Sequence, residues 1–287
     1  MIVAARARWF AAAAAALVAA AVFAPVLDAG FSPEDFGWLV AARQLDAPWP
    51  LLGGDVFFVY FYRPAGLLFW WLVAQLFGAN AFWHNAADLA LHALNAALVA
   101  SLAFRIAGAR AAITAGLAFA TLPCGVGTAM WISDRFDPLA LMFGLGALLA
   151  AEQTFAARGS AWRVGALLFL ALVSKEVAFA FAAVLLVRLS WRAWRRHERR
   201  IDLWMAVVAA SAAALALRLA VGVEVDTSLP TEHVAVAVVD GTLAWWRRLP
   251  PALFGFAPTP SFAYFLLGVV AAAALASITL AWRRGDR

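Results

Sequence analysis

The sequence predicts an all-α fold: a polytopic membrane helix bundle with about eight crossings and interfacial helices in its first outer loop. Three observations carry that expectation. Hydrophobic residues make up 66% of the 287 and charged residues 14%, with a mean hydropathy of +0.84, whereas a soluble domain carries about 25% charge. The apolar residues come in runs of the roughly 20 residues needed to cross a hydrocarbon core. Arginines flank those runs, which makes the pI of about 10.3 a topology signal and not a mark of nucleic-acid binding.

The first run, 9–27, follows Arg6 and Arg8 and exceeds the apolar length of a cleaved signal, so it reads as an uncleaved anchor. An outer loop, 28–81, comes next. Its segment 57–77 is apolar enough to cross, but a crossing there would strand Arg105 and Arg110 on the outer side, so it is expected as an amphipathic or re-entrant helix. Runs 82–104, 111–130 and 138–157 cross. The run 162–191 is flanked by Arg158 and Arg163 on one side and by Arg192, Arg195, Arg196, Arg199 and Arg200 on the other. One crossing would misplace one basic cluster, so two short crossings are expected, reversing at Ser174-Lys175-Glu176. Run 203–222 crosses, a loop carries Trp245, Trp246, Arg247 and Arg248 on an interfacial helix within 231–248, and 262–282 crosses last. Residues 1–223 form one expected module and 224–287 a second.

With these spans, arginine collects on the inner side and most acidic residues on the outer, with both termini inside. Arg43, Arg63, Arg135, Arg218, Arg247 and Arg248 break the pattern and become candidates for work other than setting topology. Lys175 is the only lysine among 22 basic residues. It adjoins Glu176 within an apolar run, where each charge costs on the order of 2.5 to 3.5 kcal/mol. A single cysteine, Cys124, excludes a disulfide framework within the chain.

Four polar clusters carry the candidate chemistry, all on the outer side. Glu34 and Asp35 read either as a general base or as the acidic first turn of a helix capped by Ser32 with Pro33 at its first position. Tyr62-Arg63-Pro64 opens the interfacial helix with a guanidinium suited to a phosphate, or with a snorkelling arginine. His84, Asp88, His92 and Asn95 share one face of a membrane helix, better suited to hydrogen bonds between helices than to a metal. Trp131-Ile132-Ser133-Asp134-Arg135-Phe136-Asp137 mixes both charge signs, to be met by internal pairing or by a substrate.

The order of these pieces resembles the GT-C superfamily of integral-membrane glycosyltransferases, on the branch of the transmembrane O-mannosyltransferases with tetratricopeptide repeats and their repeat-free bacterial relatives. Trp131, Ile132, Ser133, Arg135 and Asp137, with Ser174, Lys175 and Glu176, are the most specific matches, and the likeness spans about 31–180. Leu122-Pro123 and Gly127 replace the His-Pro and glutamate common in relatives. The resemblance implies a GT-C-like bundle in a bacterial inner membrane that moves a sugar from a polyprenyl-phosphate donor to a glycan, lipid or protein acceptor on the outer face, with inversion. Asp35 or Glu34 would take the acceptor proton, and Arg63, Lys175 and Arg135 would hold the leaving phosphate. Glu176 and Asp137, with Tyr62 and Trp131 beside them, would orient those cations. No cofactor is required, although a divalent metal assists some relatives. The alternatives are a noncatalytic membrane scaffold of the same ancestry and a transporter or flippase using His84, Asp88 and His92 as a proton relay.

Overall fold

A computed structural model of the chain describes residues 2–53, 62–122, 131–156 and 159–221; apart from Leu122 these lie in one compact unit. Among the described residues the regular structure is entirely helical. Five stretches are long and apolar enough to cross a membrane: Arg6–Asp28, Ala81–Thr121, Ile132–Phe155, Glu176–Arg196 and Ile201–Ala220. Two shorter apolar helices, Pro64–Phe77 and Ala161–Leu172, accompany them.

Helix α1 (Ile2–Phe23) packs along α4 (Ala81–Thr121). The 41 residues of α4 do not run straight, because Gly108 adopts φ 84°, ψ −169°, a conformation open essentially to glycine alone. The chain reverses there. Ala100 and Gly116, equidistant in sequence from Gly108, face each other, and a Cβ added at Gly116 would lie 2.8 Å from that of Ala100 and 2.9 Å from that of Ala15. Ala15, Ala19, Ala96, Ala100 and Ala120 complete this contact. The alanine run of α1 thus lets backbones approach closely, as small residues do between packed apolar helices.

The second half contains α5 (Phe136–Phe155), α6 (Ala161–Leu172), α7 (Phe179–Arg196) and α8 (Ile201–Ala220) around one apolar core that includes Val164, Leu168, Leu172, Leu185, Leu203 and Val207. Contacts at the two ends of these helices fix their directions. The end of α5 meets the end of α7 and the start of α8 through Arg188 on Glu152 (2.9 Å), Arg192 over the Phe155 ring (4.1 Å) and Arg200 Nη1 donating to the Thr154 carbonyl (2.7 Å). Asp134 and Asp137, just before and at the start of α5, meet Lys175 at the α6–α7 junction, and Glu176 of that junction meets Arg218 at the end of α8. Helices α6 and α7 therefore form the expected hairpin reversing at Ser174-Lys175-Glu176. Arg188, Arg192 and Arg200 mark the arginine-rich end, with Glu152 among them, and Asp134, Asp137 and Glu176 mark the acidic end, where Lys175 and Arg218 also lie.

Loop 28–81 supplies two helices to the acidic end, α2 (Pro33–Arg43) and α3 (Pro64–Phe77). Trp38 and Leu39 of α2 and Leu67 and Trp70 of α3 enclose Ile132 and Phe136. Gly66 makes room for the Phe136 ring, which a Cβ there would strike. Trp71 Nε1 donates to the Leu45 carbonyl at 3.0 Å and the Ala65 amide to the Val173 carbonyl at 3.2 Å, tying α3 to α2 and to the hairpin turn. The helix expected over 57–77 begins at Pro64, because proline favours the first helical position. Residues 57–61, the second part of 111–130, and the expected helices at 231–248 and 262–282 lie outside the described residues.

Filling the α1–α4 contact should be costly. Gly116→Leu is expected to lower the unfolding free energy in detergent by about 1–3 kcal/mol through overpacking. Gly37→Ala, on the exposed face of α2 with nothing within 4 Å of the added methyl, is expected to raise it by up to about 1 kcal/mol. Thermal unfolding followed by circular dichroism checks both, and equal midpoints for the two variants would contradict the close α1–α4 packing.

Candidate functional site

The acidic end is organised by the segment 131–137. Ile132–Asp134 forms a single 3-10 turn whose Ile132 side chain is fully buried against α2 and α3. That anchor sends three consecutive side chains in three directions. Ser133 Oγ donates to Asp35 Oδ1 at 2.5 Å, reaching α2. Asp134 Oδ1 accepts from Lys175 Nζ at 3.1 Å, reaching the hairpin turn. Arg135 Nη2 donates to Asp88 Oδ2 at 3.0 Å, reaching α4. Internal pairing within the segment, one of the two expectations, is not what satisfies these charges.

Arg135 and Asp88 are both wholly buried. The guanidinium carbon also lies 4.0 Å from the centroid of the Trp70 ring. Arg135 was expected among the phosphate-binding cations. With no exposure and a carboxylate partner of its own, it locks helices together and offers no face to an outside anion. Its Nε and Nη1, and Oδ1 of Asp88, have no hydrogen-bond partner among the described residues.

Two half-exposed charge clusters flank this lock, and neighbouring residues of the hairpin turn centre them. Lys175 lies between Asp134 and Asp137, the latter at 2.5 Å, a grouping of formal charge −1. Glu176 lies between Arg63 and Arg218: Arg63 Nε and Nη2 donate to Oε2 at 2.9 and 2.7 Å, and Arg218 Nη1 donates to Oε1 at 2.7 Å. Arg218 Nη2 also holds the Leu172 carbonyl at 2.9 Å, capping the end of α6. Tyr62 is buried, with its hydroxyl donating to the Leu52 carbonyl at 3.1 Å. Burial raises its phenol above the ordinary value, and nearby Arg218 opposes that shift.

The acidic pair is divided. Asp35 is fully buried and its second oxygen accepts from the Ser32 amide at 2.7 Å, the reverse arm of a capping box at the start of α2. Glu34, one residue earlier, is exposed. The structure thus joins Asp35 to Lys175 through adjacent residues, Ser133 and Asp134, while Glu34 alone of the pair faces outward. Trp131 is exposed as well.

The polar stripe on α4 is buried throughout; Arg135 Nη2 reaches both Asp88 and, at 3.5 Å, His84 Nδ1 and the His84 carbonyl, while the other members turn elsewhere. His84 Nε2 lies 3.0 Å from the Gly78 carbonyl, Asp88 binds Arg135, and Asn95 Nδ2 donates to the Pro138 carbonyl at 2.8 Å. His92 stacks on Phe119 and meets Phe23 edge-on. Among the described residues no three His, Cys, Asp or Glu side chains converge as metal ligands.

Between α4, α5 and α7 lies a cavity of about 330 Å³, with His92, Asn95, Asp137, Leu141 and Phe181 among its lining residues. Asp137 is shared between this cavity and the Lys175 cluster.

Comparison with known proteins finds no matching family model, no similar curated protein and no similar solved structure. The sequence reading assigned no role to Ser133 or Asp134 and treated Arg218 only as an arginine on the unexpected side. A charge near the end of the apolar run 203–222 was the available signal, but its partner Glu176 lies 42 positions away.

The Arg135–Asp88 pair gives a stability test. Asp88→Leu strands a buried guanidinium and is expected to destabilise by about 3–5 kcal/mol, whereas the double variant Asp88→Leu with Arg135→Met is expected to recover most of that loss. Unfolding of the three proteins in one detergent checks it. Additive losses would mean that the two side chains do not act as a pair.

Proposed function

We propose that the protein is a membrane glycosyltransferase of GT-C type that takes a sugar from a polyprenyl-phosphate donor and transfers it, with inversion, to an acceptor on the outer face. The observation that carries this reading is the Arg63–Glu176–Arg218 cluster. It fixes two guanidiniums, those of Arg63 and Arg218, on one carboxylate, Glu176, beside the Lys175 cluster at the acidic end of the bundle.

In the proposed reaction the acceptor hydroxyl oxygen attacks the anomeric carbon, the bond from that carbon to the phosphate oxygen breaks with its electron pair on the phosphate, and the hydroxyl proton passes to a carboxylate. Charge accumulates on the phosphate as the bond breaks. Guanidinium groups held in place beforehand are then worth more in the transition state than before it. Arg63 and Arg218 suit that role better than Lys175, which two carboxylates already neutralise. Glu176 fixes both guanidinium planes so that little reorganisation accompanies phosphate binding. Asp35 is the proposed base, with Ser133 as the donor it must exchange for the acceptor, and Glu34 stands beside it at the exposed surface.

The proposed setting is a bacterial inner membrane crossed about eight times, counting the two limbs of α4 and the α6–α7 hairpin separately. The arginine end lies in the cytoplasm under the positive-inside rule and the carboxylate end outside. One observation favours a second reading: Asp35 is fully buried with both oxygens engaged, as a helix cap in a noncatalytic membrane scaffold would be.

Purified protein incubated with polyprenyl-phosphate hexoses and pentoses is expected to release free polyprenyl phosphate. Arg63→Gln and Arg218→Gln are each expected to slow release by about 10²- to 10³-fold, and Asp35→Asn to abolish transfer. Full turnover in all three variants would remove the mechanism, and a parent protein that binds donor without turnover would favour the scaffold. Orientation is tested separately in a Cys124→Ala background. A membrane-impermeant maleimide on intact cells is expected to label Glu34→Cys and to leave Arg199→Cys unlabelled until the cells are lysed; the reverse pattern would invert the topology.

A further inference from the structure

Helix α7 buries Ala182, Leu185 and Leu189 in the core and turns an opposite face outward. Val184, Val187, Trp191 and Trp194 lie on that face, each between 45% and 70% exposed, and their spacing of three, four and three aligns them in one stripe. The stripe changes character along its length, from valine on the side of the hairpin turn to tryptophan at the arginine-rich end. The two indoles meet edge-on with centroids 5.6 Å apart, and the Arg195 guanidinium carbon lies 4.8 Å from the Trp194 centroid and 5.2 Å from that of Trp191. At the start of α6, at the same end, Arg163 lies 5.8 Å from the ring of exposed Trp162. Indole at the bilayer interface with guanidinium beyond it matches the order in which a membrane passes from hydrocarbon to headgroup. The pairings also sort the arginines of this end. Glu152 holds Arg188, Glu198 accepts two donors of Arg192, and Asp202 accepts two of Arg200. Arg196, the last residue of α7, and Arg199, in the connection to α8, are exposed and form no ion pair among the described residues. Glu198, between them in the chain, is engaged by Arg192.

We infer that this face of α7 is a binding site for one anionic phospholipid, with an acyl chain along Val184 and Val187, the glycerol at the level of Trp191 and Trp194, and the phosphate on Arg196 and Arg199. The length agrees, since ten residues of helix from Val184 to Trp194 rise about 15 Å, half of a hydrocarbon core of about 30 Å. Charge selects the headgroup: guanidinium donors fit phosphate oxygens, and two exposed cations disfavour the ammonium of a zwitterionic lipid. Charge sidedness alone would make every arginine at this end equivalent, whereas the pairings leave two of them to an outside anion beside an apolar stripe of matching length. The site requires the bilayer setting proposed above and is independent of sugar transfer.

The test uses the full chain in phosphatidylcholine nanodiscs containing a small fraction of phosphatidylglycerol with a diazirine in one acyl chain. After photoactivation, labelled peptides are mapped by mass spectrometry. Saturable labelling is expected on α7, displaced by unlabelled phosphatidylglycerol about 30-fold more effectively than by added phosphatidylcholine, as two cations near a membrane surface warrant. The double variant Arg196→Gln with Arg199→Gln is expected to erase that preference while leaving the thermal midpoint in pure phosphatidylcholine unchanged, because both side chains are exposed. Arg6→Gln with Arg8→Gln removes the same charge from the start of α1 and is expected to leave α7 labelling as in the parent. Equal loss in the two double variants would reduce the effect to a diffuse surface potential and overturn the site, as would displacement by phosphatidylcholine as effective as by phosphatidylglycerol. Label absent from α7 in discs that hold two copies would assign the stripe to a second copy of the chain. Protein that fails to enter the discs would remove the bilayer setting itself, an outcome distinct from protein that enters them and shows no preference for the anionic lipid.

Discussion

The helices of this bundle meet at its acidic end because three successive side chains of one short turn are each claimed by a different neighbour. Ser133 belongs to Asp35 on α2, Asp134 to Lys175 at the hairpin turn, and Arg135 to Asp88 on α4. A turn can serve three partners only if its backbone cannot rotate, and the burial of Ile132 and Phe136 in the α2–α3 core supplies that rigidity. Were Arg135 to lose Asp88, the guanidinium would have no water to turn to, so the pair constrains register more than it adds stability. The position of α4 against α5, and with it the shape of the cavity between them, follows from this arrangement.

Placing the hairpin turn against this segment has an electrostatic consequence. Lys175 and Glu176 are adjacent in the chain, yet each sits between two residues of opposite sign, so two charge clusters form side by side within one partly exposed region. The lone lysine, conspicuous in the sequence, is the more neutralised of the two cation sites. Its chemical value lies in joining the hairpin to α5.

Much of the fold is written in local pattern. Apolar run lengths and their arginine flanks anticipate α1, both limbs of α4, α5 and the α6–α7 hairpin, because hydrocarbon thickness and charge sidedness act on every residue independently of its eventual neighbours. Ser32-Pro33-Glu34-Asp35 likewise announces the start of α2. Gly108 was harder to read: a glycine between Arg105 and Arg110 is compatible with many loops, and only the opposition of Ala100 and Gly116 reveals a tight reversal.

By itself, then, the chain determined that it is helical with several helices long and apolar enough to cross a membrane, and which polar residues would be expensive to bury without a partner. Tertiary structure alone decided who those partners are. Asp88 and Arg135, or Glu176 and Arg218, are separated by more than forty residues, and no periodicity relates them. Their pairing depends on packing geometry that small residues such as Gly66 and Gly116 permit. The division between Arg135, wholly buried on Asp88, and Arg63 with Arg218, partly buried on Glu176, rests on burial, which is a property of the assembled bundle and of no segment within it.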